Sequence, residues 1–256
     1  IPTYAFEDCN YLKTVILPST LTTIGSDAFS GCVALNNVNV PAGVTSLGNS
    51  AFYGCTSLTA IILPNGLTKL GLYVFQNCTA LESIVLPDSI TTIGAYAFSG
   101  CTKLSSVNFP LSWTTVTSLN GGNIFSGCTQ LTSITVPEGV TAIPTYAFED
   151  CNYLKTVILP STLTTIGVEA FSGCTSFVHF TVSDGVKTIG NYAFSNCKNL
   201  VRIWIPESVS QISNSVFSNR NAAFTIHGIS GSYAESYATT NNIPFSTEKI
   251  SYDLTS

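Results

Sequence analysis

The sequence predicts an α/β solenoid, β-rich, built of about ten 23-residue coils and closed by a C-terminal cap. Three observations carry that expectation. Nine cysteines stand at positions 9, 32, 55, 78, 101, 128, 151, 174 and 197, spaced 23 residues apart except for one interval of 27. After each cysteine, apolar residues recur at the third, sixth and eighth positions, as in Leu58, Ile61 and Leu63 or Leu131, Ile134 and Val136. A phenylalanine stands three residues before each cysteine, from Phe6 to Phe194, and Phe217 continues the series. A fixed period of this length is the signature of stacked coils, each burying its apolar side only against its neighbours.

Each element of the coil follows from its residues. The sixth and eighth positions flank one outward residue, the alternation of a short strand. Proline then ends it at 18, 41, 64, 87, 110, 137, 160 and 206, because it fixes φ and lacks a donor. Ser183 interrupts that series. A second β-branched segment follows, as in Ile90–Ile93, and ends at glycines 25, 48, 71, 94, 167 and 190, which are expected to turn a corner at positive φ. An Ala-Phe step then leads back to the next cysteine, and the phenylalanines are expected to stack as a column inside the coil.

Equivalent cysteines of adjacent coils would lie ~4.8 Å apart, one strand spacing. A disulfide needs its Cβ atoms near ~3.8 Å in a specific torsion. The sequence therefore predicts free buried thiols acting as small apolar spacers. Neither C-x-x-C nor a Cys/His cluster occurs, so no metal site and no cofactor is expected.

The unit A-F-x-G-C-x-x-L-x-x-I-x-L-P followed by V-T-x-I-G, cleanest at Ala97–Pro110, resembles the BspA-type leucine-rich repeat. The resemblance covers about residues 1–227. It implies a horseshoe-like leucine-rich-repeat solenoid with short helical turns on the convex side and the strand after the cysteine lining the concave face. It also implies a surface protein of bacteria or protists acting in adhesion to host matrix or to other microbes.

The pattern departs from uniformity in three places. Ile1–Gly25 is identical to Ile143–Gly167, which suggests a recent duplication or an assembly from repeats, and begins the chain inside a repeat. The absence of any methionine adds to the expectation of a processed or excised piece. Its first coil is expected to present an unpaired edge and to support end-to-end association. The 27-residue interval places four extra residues within Leu111–Asn123, with Trp113 either folded onto the coil or exposed on a partner-contacting loop. Near the C-terminus Arg220 replaces the tenth cysteine, and residues 228–256 read as a cap and tail. Within them, Ser232-x-x-Glu235 is a capping-box pattern opening a short helix over 233–240, with Ile243-Pro-Phe245 as a final strand.

Composition narrows the function. Charged residues make up 9 % and the net charge is −5. Nucleic-acid binding needs a basic footprint, so it is not expected. Apolar runs of about four residues or fewer predict no membrane insertion. The two histidines, His179 and His227, fall in different coils with no acidic ladder beside either, so an enzyme is not expected. What remains is a surface. The outward positions include Ile16, Ile62, Val85 and Ile158, apolar spots among small polar residues. At one end His179, Arg202 and Trp204 are expected to project together, either as a binding hot spot or with Arg202 simply stacked on Trp204. The sequence-based reading is a noncatalytic protein-binding solenoid, cell-surface or secreted, whose ligand is a host matrix or microbial surface protein. The alternative is a spacer presenting another domain, without a ligand of its own.

Overall fold

A computed structural model describes residues 1–108 and 122–249. In chain order its strands are β1 (Thr23–Ile24), β2 (Asn37–Asn39), β3 (Ser46–Leu47), β4 (Ala60–Ile62), β5 (Lys69–Leu70), β6 (Ser83–Ile84), β7 (Thr92–Ile93), β8 (Ser106–Val107), β9 (Ser133–Thr135), β10 (Ala142–Ile143), β11 (Thr156–Ile158), β12 (Thr165–Ile166), β13 (His179–Thr181), β14 (Thr188–Ile189), β15 (Arg202–Trp204), β16 (Gln211–Ile212), β17 (Thr225–His227) and β18 (Phe245–Ser246). One helix, α1 (Tyr233–Thr240), lies between β17 and β18.

The strands form two parallel ladders along the stack. The segments after the cysteines pair as β2-β4, β6-β8, β9-β11 and β13-β15-β17-β18. The β-branched segments pair as β1-β3-β5-β7 and β10-β12-β14-β16. Partners are equivalent residues of adjacent coils, for example Ile61 opposite Val38 and Ile189 opposite Ile166. Between the ladders the carbonyls of prolines 18, 41, 64, 87, 137, 160 and 206 each accept from an amide three residues on, as Pro41 does from Val44 at 3.0 Å. Ser183 makes the same turn to Val186 at 3.1 Å, so the break in the proline series does not break the coil.

The third side of the coil is neither strand nor helix. Two of its positions adopt positive φ in coil after coil. One is two residues before the phenylalanine: Tyr4, Asp27, Ser50, Tyr73, Tyr96, Asn123, Tyr146, Glu169 and Tyr192. The other immediately precedes the cysteine, at Asp8, Gly31, Gly54, Asn77, Gly100, Gly127, Asp150, Gly173 and Asn196, and Asn219 takes the same conformation before Arg220. A left-handed residue every four or so positions interrupts any right-handed helix. What remains are single turns, such as Cys9 N–H to Phe6 O at 3.2 Å and Leu12 N–H to Cys9 O at 3.0 Å. The helical character expected on this side is therefore reduced to such turns.

The glycines that end the second ladder correct the expectation of a positive-φ corner. Gly25, Gly48, Gly71, Gly94, Gly167 and Gly190 do not adopt positive φ. Their role is close approach: a Cβ on Gly71 would lie 2.5 Å from the Asn49 nitrogen and from the Gly48 carbonyl carbon. Only hydrogen allows one coil to sit this close on the backbone of the one before it.

The interior is the expected pair of columns. Phenylalanine rings stack from Phe6 through Phe29, Phe52, Phe75, Phe98, Phe125, Phe148, Phe171 and Phe194 to Phe217, with centroids 5.2 Å apart in the first pair and 5.9 Å in the last. These spacings suit offset stacking, worth about 0.5–1.5 kcal/mol per pair beyond burial. All nine cysteines are free, and all but Cys9 are buried. Each buried thiol donates to the carbonyl of the phenylalanine 26 residues earlier, as Cys151 Sγ does to Phe125 O at 3.2 Å, or 30 residues earlier for Cys128 across the long interval. The thiols thus also satisfy buried carbonyls. Threonine hydroxyls do the same outside, where Thr68 Oγ1 donates to Thr45 O at 3.1 Å and Thr91 Oγ1 to Thr68 O at 3.3 Å.

At the C-terminal end α1 closes the stack. Ala234, Tyr237, Ala238 and Ile243 are buried, the Tyr237 ring packs edge-on to Phe217 at 6.2 Å, and its hydroxyl donates to the Ser213 and Asn214 carbonyls at 3.2 Å. Ser232 caps the helix by accepting from the Glu235 amide at 3.4 Å. Glu235 reaches back to the Gly231 amide, one residue beyond the reciprocal partner of a strict capping box. The final strand begins at Phe245 rather than Ile243, and pairs in parallel with β17.

Candidate binding face

The ladder of strands after the cysteines presents two outward columns. Five residues after each cysteine stand Thr14, Asn37, Ala60, Ser83, Ser106, Ser133, Thr156, His179 and Arg202, all exposed except the half-buried His179. Seven after stand Ile16, Asn39, Ile62, Val85, Asn108, Thr135, Ile158, Thr181 and Trp204, again exposed except the half-buried Trp204. Ile62 and Val85 occupy successive coils and are 65 % and 75 % exposed, so the fold joins them into one apolar spot. Asn39 separates Ile16 from that pair, while Thr135 and Thr181 flank Ile158, leaving both single. Trp113 lies outside the described residues.

The distinctive end of the face is built by β13, β15 and β17. Register sets His179 opposite Arg202 and Trp204 opposite His227, so the three side chains expected together are brought together. His227 joins the group, unforeseen from sequence. Counting seven from Arg220, which holds the cysteine's place, puts it in the Trp204 column. Its Nδ1 lies 2.8 Å from the Glu248 carbonyl oxygen, and its Nε2 is buried without a hydrogen-bond partner. Burial holds the His179 imidazole below its ordinary pKa, and the positive charges of Arg202 and His227 push the same way.

Other chemistry finds little support. No group of three or more His, Cys, Asp or Glu that could hold a metal ion occurs among the described residues. The thiols are shielded: burial pushes the Cys101 and Cys197 thiols up to about 12, so they stay protonated near neutral pH. The carboxylates with a resolved shift lie on turns, Glu138 lowered by hydrogen bonds from Ser161 and Glu149 raised by burial. The tyrosines Tyr4, Tyr73, Tyr96, Tyr146 and Tyr192 stand on the turn side, all at positive φ. Tyr73 and Tyr96 stack at 5.1 Å. No helix among the described residues is long and apolar enough to cross a membrane.

Comparison with known proteins agrees with this geometry. A leucine-rich repeat protein of T. pallidum is 35 % identical, with 64 % of this chain and 77 % of that chain covered and a TM-score of 0.58. A leucine-rich repeat protein of Bacteroides ovatus is 25 % identical, with 95 % and 80 % covered and a TM-score of 0.56. The pneumococcal vaccine antigen PcpA, 19 % identical with 90 % and 72 % covered and a TM-score of 0.57, shares the fold. A search of curated proteins finds no match. The BspA type leucine-rich repeat region matches residues 1–121 and 120–242, in six copies. Coil period, thiol and ring columns and family match all agree: this chain belongs to the BspA type leucine-rich repeat family.

Proposed function

We propose that this chain is a noncatalytic protein-binding solenoid of a cell-surface or secreted protein, acting in adhesion to host matrix or to other cells through its strand face. The observation that carries the reading is the exposed Ile62–Val85 spot set in columns of Asn, Ser and Thr side chains. Apolar side chains held outward on a rigid sheet, rimmed by small polar groups, mark interaction surfaces. The likeness to a pneumococcal vaccine antigen supports a surface location. Coils repeating at ~4.8 Å give a face roughly 45–50 Å long, suited to many shallow contacts.

The test is binding of the immobilised chain to purified extracellular matrix proteins and to whole bacterial cells. The reading expects saturable retention that drops at least tenfold when Ile62 and Val85 are both changed to lysine. No retention of any of these would overturn it in favour of a spacer, and retention unchanged in the double variant would remove the strand face from the account.

A further inference from the structure

We propose that the turn side of the coils of Phe29, Phe52 and Phe75 binds a neutral glycan, one sugar ring filling a gap in the tyrosine column and packing on the face of Tyr73. This site lies away from the strand ladder and goes beyond the reading above.

The gap comes from two substitutions in a regular column. Two residues before each phenylalanine the chain places Tyr4, Asp27, Ser50, Tyr73 and Tyr96 in successive coils, all at positive φ. The backbone holds them in register: the amides of Asp27, Ser50 and Tyr73 donate to the carbonyls of Asn49, Leu72 and Ala95 at 2.8, 2.8 and 2.9 Å. Tyr73 and Tyr96 stack with centroids 5.1 Å apart and planes 22° apart, close to one coil step of ~4.8 Å, so these rings lie across the stack. The other face of Tyr73 therefore looks back along the column onto Ser50, whose side chain is too short to cover it. Asp27 is next, and Tyr4 resumes the series three coil steps from Tyr73, about 14 Å away.

A second column completes the walls. One residue after each phenylalanine stand Ser30, Tyr53 and Gln76, and the Tyr53 amide donates to the Ser50 carbonyl at 3.0 Å, which holds Tyr53 beside the gap. The two columns enclose an open groove of about 340 Å³ lined by Asp27, Ser30, Ser50, Tyr53, Tyr73 and Gln76. That volume falls within the ~300–1,000 Å³ of small-molecule sites. Tyr53 and Tyr73 remain 39 % and 37 % exposed, so ring surface is open to a ligand.

The lining selects the ligand. Tyrosine, serine and glutamine each donate and accept, and Asp27 accepts only. A sugar matches that mixture: its hydroxyls donate to Asp27 and both give and take hydrogen bonds at Gln76 and Ser50. Its C–H face, slightly positive, packs on the electron-rich face of Tyr73. A bare cation would suit Asp27 and the ring but would set its charge against the donors of Gln76 and Ser50. An aromatic side chain would stack on Tyr73 and leave the hydrogen-bonding groups around its edge unused. A sugar acid would be repelled by Asp27. The combination of ring face, mixed donors and acceptors and a single carboxylate points to an uncharged sugar.

The experiment records saturation-transfer NMR on the full chain with pentasaccharides of glucose, galactose, mannose and N-acetylglucosamine, with pentagalacturonate, and with choline and methylguanidinium. The expected result is saturable binding of at least one neutral pentasaccharide, with the strongest transfer to the C–H protons of one ring, and no binding of the acid or the cations. Tyr73→Phe should keep most of the affinity and Tyr73→Ala should lose at least tenfold, because the ring face carries the contact. Ser50→Tyr restores the missing rung and should abolish binding. That variant should fold normally, since tyrosine already occupies this position at φ 56–61° in five coils. No binding of any neutral pentasaccharide, binding that survives Ser50→Tyr, or binding of choline or methylguanidinium in place of sugar would each overturn the proposal. If it fails while retention through Ile62 and Val85 persists, only this site is lost; if that retention fails while sugar binding stands, the strand face is lost and this site is not.

Discussion

Residues 1–25 and 143–167 are the same sequence in two places, and the fold treats them differently. Phe148 is 1 % exposed and Phe6 36 %. Ile158 is 56 % exposed and Ile16 97 %. Thr156–Ile158 form β11, whereas Thr14 makes only an isolated bridge to Asn37. The interior copy has a coil on each side, and the first copy has one only on the side toward Ser26. Identical side chains gain or lose burial according to their neighbours, so the stack, and not the single coil, is the unit that holds this protein together.

The contrast can be broken by experiment, beginning with the largest effect. Burial raises the pKa of the eight thiols from Cys32 to Cys197 above the ordinary thiol value. In the unfolded chain they ionise near pH ~8.5–9. Their folded pKa is raised, so the stability they contribute is present below that value and is lost as pH climbs toward the folded pKa. Each raised thiol therefore withdraws stability across that window, and the eight act in the same direction. The solenoid should unfold in mildly alkaline solution, seen by circular dichroism between pH 9 and 10.5, and Cys151→Ala should make the loss less steep. Stability unchanged to pH 11 would refute the buried thiol column.

Next is the ring column. Phe148→Ala should cost about 3–5 kcal/mol in chemical denaturation, the range for emptying a core aromatic site. Phe6→Ala, at the half-covered copy, should cost well under half of that, and equal losses would dissolve the contrast. The glycines sharpen it further. Gly71→Ala drives a methyl into the Gly48–Asn49 backbone and should cost several kcal/mol. Gly54→Ala meets open space at φ +66° and should cost only about 1–2 kcal/mol, from backbone strain. Smallest is the thiol count: brief alkylation of the native chain at pH 8, read by mass spectrometry, should modify the half-buried Cys9 and spare the eight buried cysteines.

The sequence made some of this legible and hid the rest, for physical reasons. The thiol and ring columns, both ladders and the cap helix were readable, because each rests on a residue type recurring at one place in the period. The role of Gly71 and its equivalents was misread, since a sequence does not distinguish a glycine needed for positive φ from one needed for close approach. The left-handed tyrosines were hidden as well, although Asp27, Ser50 and Asn123 at the same position were a usable signal, because such residues tolerate that conformation more readily. At the binding face, His179, Arg202 and Trp204 were placed by counting from their cysteines. His227 escaped because its coil has an arginine where the count would start.

Amide hydrogen exchange followed by NMR tests the central claim most directly, because identical sequence makes intrinsic exchange rates equal in the two copies. Phe6 and Phe148 both donate forward, to Ala28 and Ala170, each at 2.9 Å, and should both be protected. Lys155 and Thr164 donate backward, to Thr132 at 2.9 Å and Thr141 at 2.8 Å, and should be protected, while Lys13 and Thr22 should exchange freely. Equal protection of Lys13 and Lys155 would contradict the account, because a coil would then hold its structure without a neighbour to stack on.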